Sequence, residues 1–292
     1  LPPRSLDQGM DQLQTIVETN FARRLGEGNI TFYNNASTLQ AAPTLLIGTA
    51  ISTAAFPRLA ARISQGRPDL FRRDFLRILR FMIWVTIPVV IVSYFGRGYL
   101  ARILFAKNAT QIALIFGFLT LAIFFRTMYT IISRWFYARK DTKTPLFVSV
   151  FTIALNIFLA AVLARQNSYG IAGLALSSSL ASLAEVLVLS TIMVIRDRGL
   201  LNMVFWSGVM RIVSASGFSL VAGYITVASF PLGANDIGFG IAIKLGLIAL
   251  VTFIVHVLVS GLFGLDEARP IFTWIRRRII LRPNRQGPFN LQ

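Results

Sequence analysis

The chain has no cysteine and a single histidine, His256, among its 292 residues. Disulfides and thiolate metal sites are therefore excluded, and one imidazole cannot build a zinc site. Acidic residues are scarce too, 12 against 29 lysines and arginines. Charged residues of both signs make up 14% of the chain and hydrophobic ones 55%, which excludes an ordinary soluble domain. A Gly-rich phosphate loop, an H-E-x-x-H pair and a nucleophile beside a histidine are all missing, so the expectation is no enzyme. No signal peptide is visible. The opening Leu1 on a Pro-Pro-Arg lead reads as a segment of a longer protein.

Long apolar stretches fill the space left by these absences. Seven are plain: Ile30–Phe56, Phe81–Phe95, Ile112–Tyr129, Leu146–Ala164, Gly170–Ile195, Ile212–Phe230 and Phe239–Phe263. Each approaches the ~20 residues that cross a ~30 Å hydrocarbon layer. A more polar helical candidate, Leu6–Leu25, precedes them. If all eight cross, 20 of the 29 basic residues fall in gaps on one side: Arg4, Arg58 to Arg80, Arg134 to Lys143, Arg196, Arg198 and Arg269 to Arg285. Positive charge resists translocation, so that side is cytoplasmic and holds both ends of the segment. The net charge of +17 is then explained by loops facing anionic membrane lipids, not by nucleic acid. The fold class expected is an all-α polytopic membrane protein with about eight transmembrane helices.

Within the first helix, Leu6, Met10, Leu13, Val17, Phe21 and Leu25 form one apolar stripe, and Asp7, Asp11, Gln14 and Glu18 a polar one opposite. A spanning helix must turn such a polar stripe to a water-filled cavity or a partner helix. The next stretch opens on Asn34, Asn35, Ser37, Thr38 and Gln40 and then meets Pro43, which removes a backbone hydrogen bond and kinks a helix. Between Arg62 and Arg80, Leu70, Phe71, Phe75, Leu76 and Leu79 share a side, which predicts a basic amphipathic connector lying on the inner membrane surface. Arg126 and Glu185 stand inside apolar stretches. Arg126 reads equally as a snorkelling side chain, an ion-pair member or a cavity contact, and Glu185 as a packing or cavity residue. Ser177, Ser178, Ser179 and Ala181 predict close helix packing, and His256 a satisfied interhelical hydrogen bond.

The most specific local string is Phe136-Tyr137-Ala138-Arg139-Lys140-Asp141-Thr142-Lys143-Thr144-Pro145, a charged turn whose proline opens the next helix. It resembles the F-Y-A-R-x-D-x-K-T-P inner loop of the MurJ/MviN lipid II flippases, in the superfamily that includes MATE exporters. Pro3-Arg4 before the polar helix with Gln12 resembles the opening of that family's second six-helix lobe. Ala36-x-x-Leu39-x-x-x-Pro43 with Ala50 and Phe56-Pro57-x-Leu59, and Gly170-x-x-Gly173-Leu174-Ala175, fit the same pattern in order and spacing up to about Phe263.

The resemblance implies a C-terminal half: residues 1–200 the six-helix lobe, 201–265 two extra helices forming a groove for a lipid tail, and 266–292 a basic cytoplasmic tail. A first six-helix lobe would precede it as its partner. The implied activity is flipping of lipid II, an undecaprenyl-pyrophosphate-linked precursor, across the bacterial cytoplasmic membrane by alternating access. The expected substrate cavity is Asp11, Gln14, Glu18, Asn34, Thr38 and Arg126. In some members the corresponding helices hold a monovalent cation such as sodium; Glu18, Asn156 and Ser178 are the residues that match, while the acid expected one turn after Asn156 is Ala160. The family's cavity arginine two residues after Ala36 is Thr38, and the acid three residues further on is Ala41. Alternative readings are a related exporter of polysaccharide-lipid or drugs, and a non-transporting scaffold for cell-wall synthesis.

Overall fold

The computed structural model describes residues 3–26, 28–105, 107–165, 169–233 and 236–273, with side chains from Gln12 onward. The side chains of Asp7 and Asp11 and most of the basic tail lie outside the described residues. Among those described, the secondary structure is helical: α1 (Pro3–Arg24), α2 (Asn29–Pro43), a π-helical turn (Thr44–Thr49), α3 (Ala50–Ser64), α4 (Pro68–Phe95), α5 (Arg97–Leu104), α6 (Ala109–Ala138), α7 (Lys143–Leu163), α8 (Gly170–Arg196), α9 (Met203–Ser229) and α10 (Gly238–Leu262). Seven helical segments are long and apolar enough to cross a membrane, with Asn29–Ser64 forming a single one of 36 residues. The protein is a multi-pass membrane protein. At 22 residues α1 has the length to span, but it is too polar to be counted with the seven.

Pro43 acts as expected. It has no N–H to give Leu39, and the ladder widens into the π turn immediately after it, where the Thr44 hydroxyl donates to the Gln40 carbonyl at 3.2 Å. Gly48 in that turn lets the backbone approach α6; a Cβ there would stand 3.2 Å from Thr127 Cα.

The connector expected on the membrane surface is corrected. α3 runs to Ser64, and α4 starts at Pro68 and continues unbroken to Phe95. Pro68 supplies a pre-set first-turn φ and Asp69 a favourable charge at the helix start, and nothing before Phe81 breaks the helix. Phe71, Phe75 and Leu79 are buried against Trp135, Phe136 and Leu189, so this apolar side faces protein and not lipid headgroups.

α6 is the spine, touching α2, the π turn, α3, α4, α5, α7 and α8. It runs past the expected end at Tyr129 to Ala138, because Arg134 is accommodated between the faces of Phe56 and Tyr137, each 5.6 Å from its guanidinium. Where α8 meets α6, Ser177, Ser178, Ser179 and Ala181 are fully buried, and Ser179 donates to the Phe118 carbonyl at 2.7 Å. Gly173 brings α8 onto the end of α7; a Cβ there would lie 2.0 Å from the Leu163 carbonyl oxygen.

α9 and α10 pack on each other and on α4 and α5. Here His256 is an interhelical hydrogen-bonder, and the reason lies on α4. Pro88 cannot donate to the Trp84 carbonyl four residues before it. His256 Nε2 lies 3.0 Å from that carbonyl and donates to it, which leaves Nδ1 to accept from the Ser219 hydroxyl at 3.1 Å. Trp84 Nε1 closes the group by donating to Ser260 at 2.8 Å.

Candidate functional site

A cavity of about 660 Å³ opens between α2, the π turn, α6, α7 and α8. Gln40, Thr44, Thr49 and Ser52 line it from the kinked span, and Ser149 and Thr152 from α7. α6 contributes Arg126, Tyr129, Thr130, Ser133 and Arg134, and α8 contributes Glu185. The α6 residues recur at spacings of three and four, so one face of that helix forms a polar wall. Arg126 and Arg134 are two turns apart on it, about 12 Å along the axis. The Arg134 side chain is buried, and its Nε has no hydrogen-bond partner among the described residues. Sequence reasoning had placed Arg134 in an inner loop; its spacing from Arg126 was the available signal. Glu185 accepts from Ser149 Oγ at 2.7 Å and is a cavity residue.

Only some of the expected cavity residues come together. Gln14 and Arg126 line the cavity. Glu18 lies behind it, 7% exposed. Its Oε1 accepts from Gln14 Nε2 at 2.9 Å and from Asn156 Nδ2 at 3.4 Å, and stands 3.8 Å from Arg126 Nη2. Arg126 and Gln14 also donate to Ser178 Oγ, at 3.3 and 3.4 Å. Arg126 is therefore an ion-pair member whose guanidinium also borders the cavity. Gln14 and Glu18 of α1 turn inward while Leu13 and Ile16 face outward, the arrangement expected of a helix wedged between lipid and protein partners. Asn34 and Thr38 are exposed on α2 and do not line the cavity; the Thr38 hydroxyl donates to the Asn34 carbonyl at 2.9 Å.

These residues do not fit a resident monovalent cation. A cation needs converging oxygens, yet Glu18 Oε1 and Ser178 Oγ face amide and guanidinium N–H groups. A carboxylate is acceptor-only, so the Gln14 and Asn156 amides must present their NH₂ ends to it. Ala160 adds no acid.

The charged loop forms a latch at one end of the lobe. Asp141 Oδ1 accepts from the backbone of Lys143 and Thr144 at 3.1 and 3.0 Å, capping α7, while Oδ2 accepts from Thr144 Oγ1 and pairs with Arg196 of α8. Burial pushes the Asp141 carboxyl up, but the hydrogen bonds from Thr144 and Arg196 outweigh it and hold the group at about 2. Arg139 stacks on Trp135 at 3.8 Å and reaches Asp197, which also accepts from Arg72 of α4 at 3.0 Å. The string thus ties α4, α6, α7 and α8 together.

The family model described as "Lipid II flippase MurJ" matches residues 1–246. This chain belongs to the lipid II flippase MurJ family. Similar proteins include the probable lipid II flippase MurJ of Bdellovibrio bacteriovorus, 23% identical over 256 residues, covering 85% of this chain and 49% of that protein. The lipid II flippase MurJ of Burkholderia cenocepacia is 27% identical over 211 residues, covering 68% and 39%. The chain spans about half the length of the curated relatives it matches, or less. Its fold is similar to a lipid II flippase MurJ structure in an inward closed conformation, with a TM-score of 0.71 at 24% identity over 90% of this chain and 52% of that one. It is also similar to an outward-facing MATE family transporter of the MOP superfamily, with a TM-score of 0.58 at 13% identity over 94% and 67%. Among the described residues, the cations that line the cavity lie on α6.

Proposed function

We propose that this chain forms one lobe of a flippase that moves lipid II across the bacterial inner membrane. The observation that carries the reading is the polar wall of α6, where Arg126 and Arg134 border a cavity within a membrane-spanning bundle. Guanidinium groups match the paired oxygens of a pyrophosphate. The head would pass through this cavity, and the polyprenyl tail would stay in lipid along α9 and α10, whose Phe218, Val221, Ile225, Ile254 and Leu258 face outward. Alternating access would rock this lobe against a preceding one around the cavity, with the π turn as the bending point. The basic residues gathered around the α3–α4 turn and the α6–α7 turn would set the cytoplasmic side. Cysteines introduced at Gln65 and Asp141 should then resist an impermeant thiol reagent in intact cells, and one at Asn108 should react.

Full-length protein should rescue cells depleted of their own lipid II flippase and restore lipid II exposure on the outer leaflet. Arg134→Ala should lower that rescue at equal protein level. Well-inserted protein that fails to rescue would remove lipid II as substrate. Thr38→Arg, tested next, would separate a lost head-group contact from a different lipid.

A further inference from the structure

We infer that the Arg126 guanidinium is the built-in counter-ion of this lobe, filling the place among α1, α6, α7 and α8 where a free monovalent cation is otherwise expected. The inference concerns the interior of the lobe and stands whichever lipid is moved.

The first ground is charge. A carboxylate 7% exposed inside a membrane-spanning bundle needs a neutralising partner or must stay protonated. Among the described residues, Arg126 is the cation within ion-pair distance, at 3.8 Å, and its side chain is 26% exposed toward the cavity. The second ground is connectivity. Arg126 from α6 meets Glu18 from α1 and Ser178 from α8, and Asn156 from α7 donates to the same carboxylate oxygen. The guanidinium therefore joins α6 to α1 and α8, and Glu18 extends the tie to α7, the task a coordinated cation would perform.

The third ground is what remains unsatisfied. Asn156 Oδ1 is buried without a hydrogen-bond partner. The Tyr33 hydroxyl is buried beside Glu18 and Ser178. With the guanidinium gone and the Gln14 and Asn156 amides turned so that their oxygens face inward, Glu18, Asn156 Oδ1, Ser178 Oγ and Tyr33 Oη would offer oxygen ligands with one negative charge, which suits an alkali cation. With the guanidinium present, its positive charge repels such an ion. Arg126 and a bound cation are thus mutually exclusive solutions to one electrostatic problem.

The experiment is thermal unfolding of purified full-length protein in sodium, potassium or choline chloride at one ionic strength. The wild type should have the same midpoint in all three salts. Arg126→Met should unfold lower in choline and recover part of the loss in sodium or potassium. Arg126→Met combined with Glu18→Gln should show no salt preference. Arg126→Lys keeps the charge and should stay indifferent to the cation, which holds the proposal open to refutation if the methionine variant fails to fold. A wild-type midpoint that rises with one alkali cation, and loses that rise in Glu18→Gln, would overturn the proposal. So would an Arg126→Met protein as stable as wild type in choline, or one that no alkali cation restores. None of these readings involves transport, so failure of the lipid II assignment leaves them unaffected.

Discussion

The Glu18 group among α1, α6, α7 and α8 and the His256 group among α4, α9 and α10 are both buried and both join helices, but they are finished to different degrees. Around His256 the interhelical contacts are neutral, at 2.8 to 3.1 Å, and both ring nitrogens and Trp84 Nε1 have a partner. Around Glu18 the contacts reach from 2.9 to 3.8 Å, carry two opposite charges and leave Asn156 Oδ1 without a partner. Burying a side chain against protein in place of lipid tails gains van der Waals contact but little hydrophobic energy, so such polar ties weigh more than in a soluble core. A neutral, saturated group resists rearrangement, which suits helices that brace the lobe. A charged and loosely bonded group bordering a cavity can exchange partners, which suits helices that move.

Breaking the charged group should have the largest effect. Arg126→Met leaves Glu18 buried without its counter-ion, and such a change costs about 3 kcal/mol. Glu18→Gln removes both the charge and the need for a partner. The double variant should therefore lose clearly less than the sum of the singles in thermal or denaturant unfolding. Strict additivity would mean that the 3.8 Å pair carries no energy.

The neutral group should fail by a different rule. His256→Ala leaves the Trp84 carbonyl buried without a donor, a loss of about 2 kcal/mol. Pro88→Ala returns an N–H to that carbonyl, so His256→Ala made in the Pro88→Ala background should cost about 1 kcal/mol less. Equal losses in the two backgrounds would break the link between the proline and the histidine.

Much of this contrast was legible beforehand, and the parts that were not share a cause. Pro43, His256 and the small residues of α8 act where their chemistry placed them, because a missing N–H or a missing side chain has local consequences. Gln14 and Glu18 of α1 point inward for a similar reason. Arg134 and the Phe71–Leu79 segment were misplaced because hydropathy treats a charge as the end of a span. Aromatic faces around Arg134, and ion pairs from Arg58 and Arg62 to the buried Asp74, keep charged residues inside continuous helices. Which residue would answer Glu18 was hidden as well, since α1 and α6 are far apart in sequence and no spacing rule connects them.

Close helix approach repeats the comparison at smaller scale. A Cβ at Gly173 meets the Leu163 backbone, which cannot turn aside, so Gly173→Ala should destabilise by about 2 kcal/mol. A Cβ at Gly208 on α9 would stand 2.5 Å from Arg80 Cζ, the mobile end of a long side chain. Gly208→Ala should cost about 1 kcal/mol, because the Arg80 side chain can shift while keeping Glu267, which it now meets at 2.8 Å. A larger loss at Gly208 than at Gly173 would reverse the order expected from backbone against side-chain contact.

The smallest effect belongs to a charge pair outside the spans, which separates charge itself from the membrane interior. Asp141 titrates at about 2 in the folded chain, below the usual carboxylate value near ~4. A group held low in the folded state contributes stability above its unfolded pKa, and that stability is lost as pH falls toward the folded value. The latch should thus be constant from neutral pH down to about 4 and weaken between about 4 and 2. Because Arg196 is 45% exposed, water and salt screen the pair, and the contribution is held to about 1 kcal/mol. Asp141→Asn keeps one oxygen to cap Lys143 and Thr144 but loses the charge and the second acceptor that meets Thr144 Oγ1 and Arg196. It should therefore lower neutral-pH stability by less than about 1 kcal/mol, remove part of the acid-limb slope, and lose its effect in high salt. A loss as large as that of Arg126→Met would mean that the membrane interior adds nothing to the strength of a charge pair here, and the contrast between exposed and buried groups would fall with it.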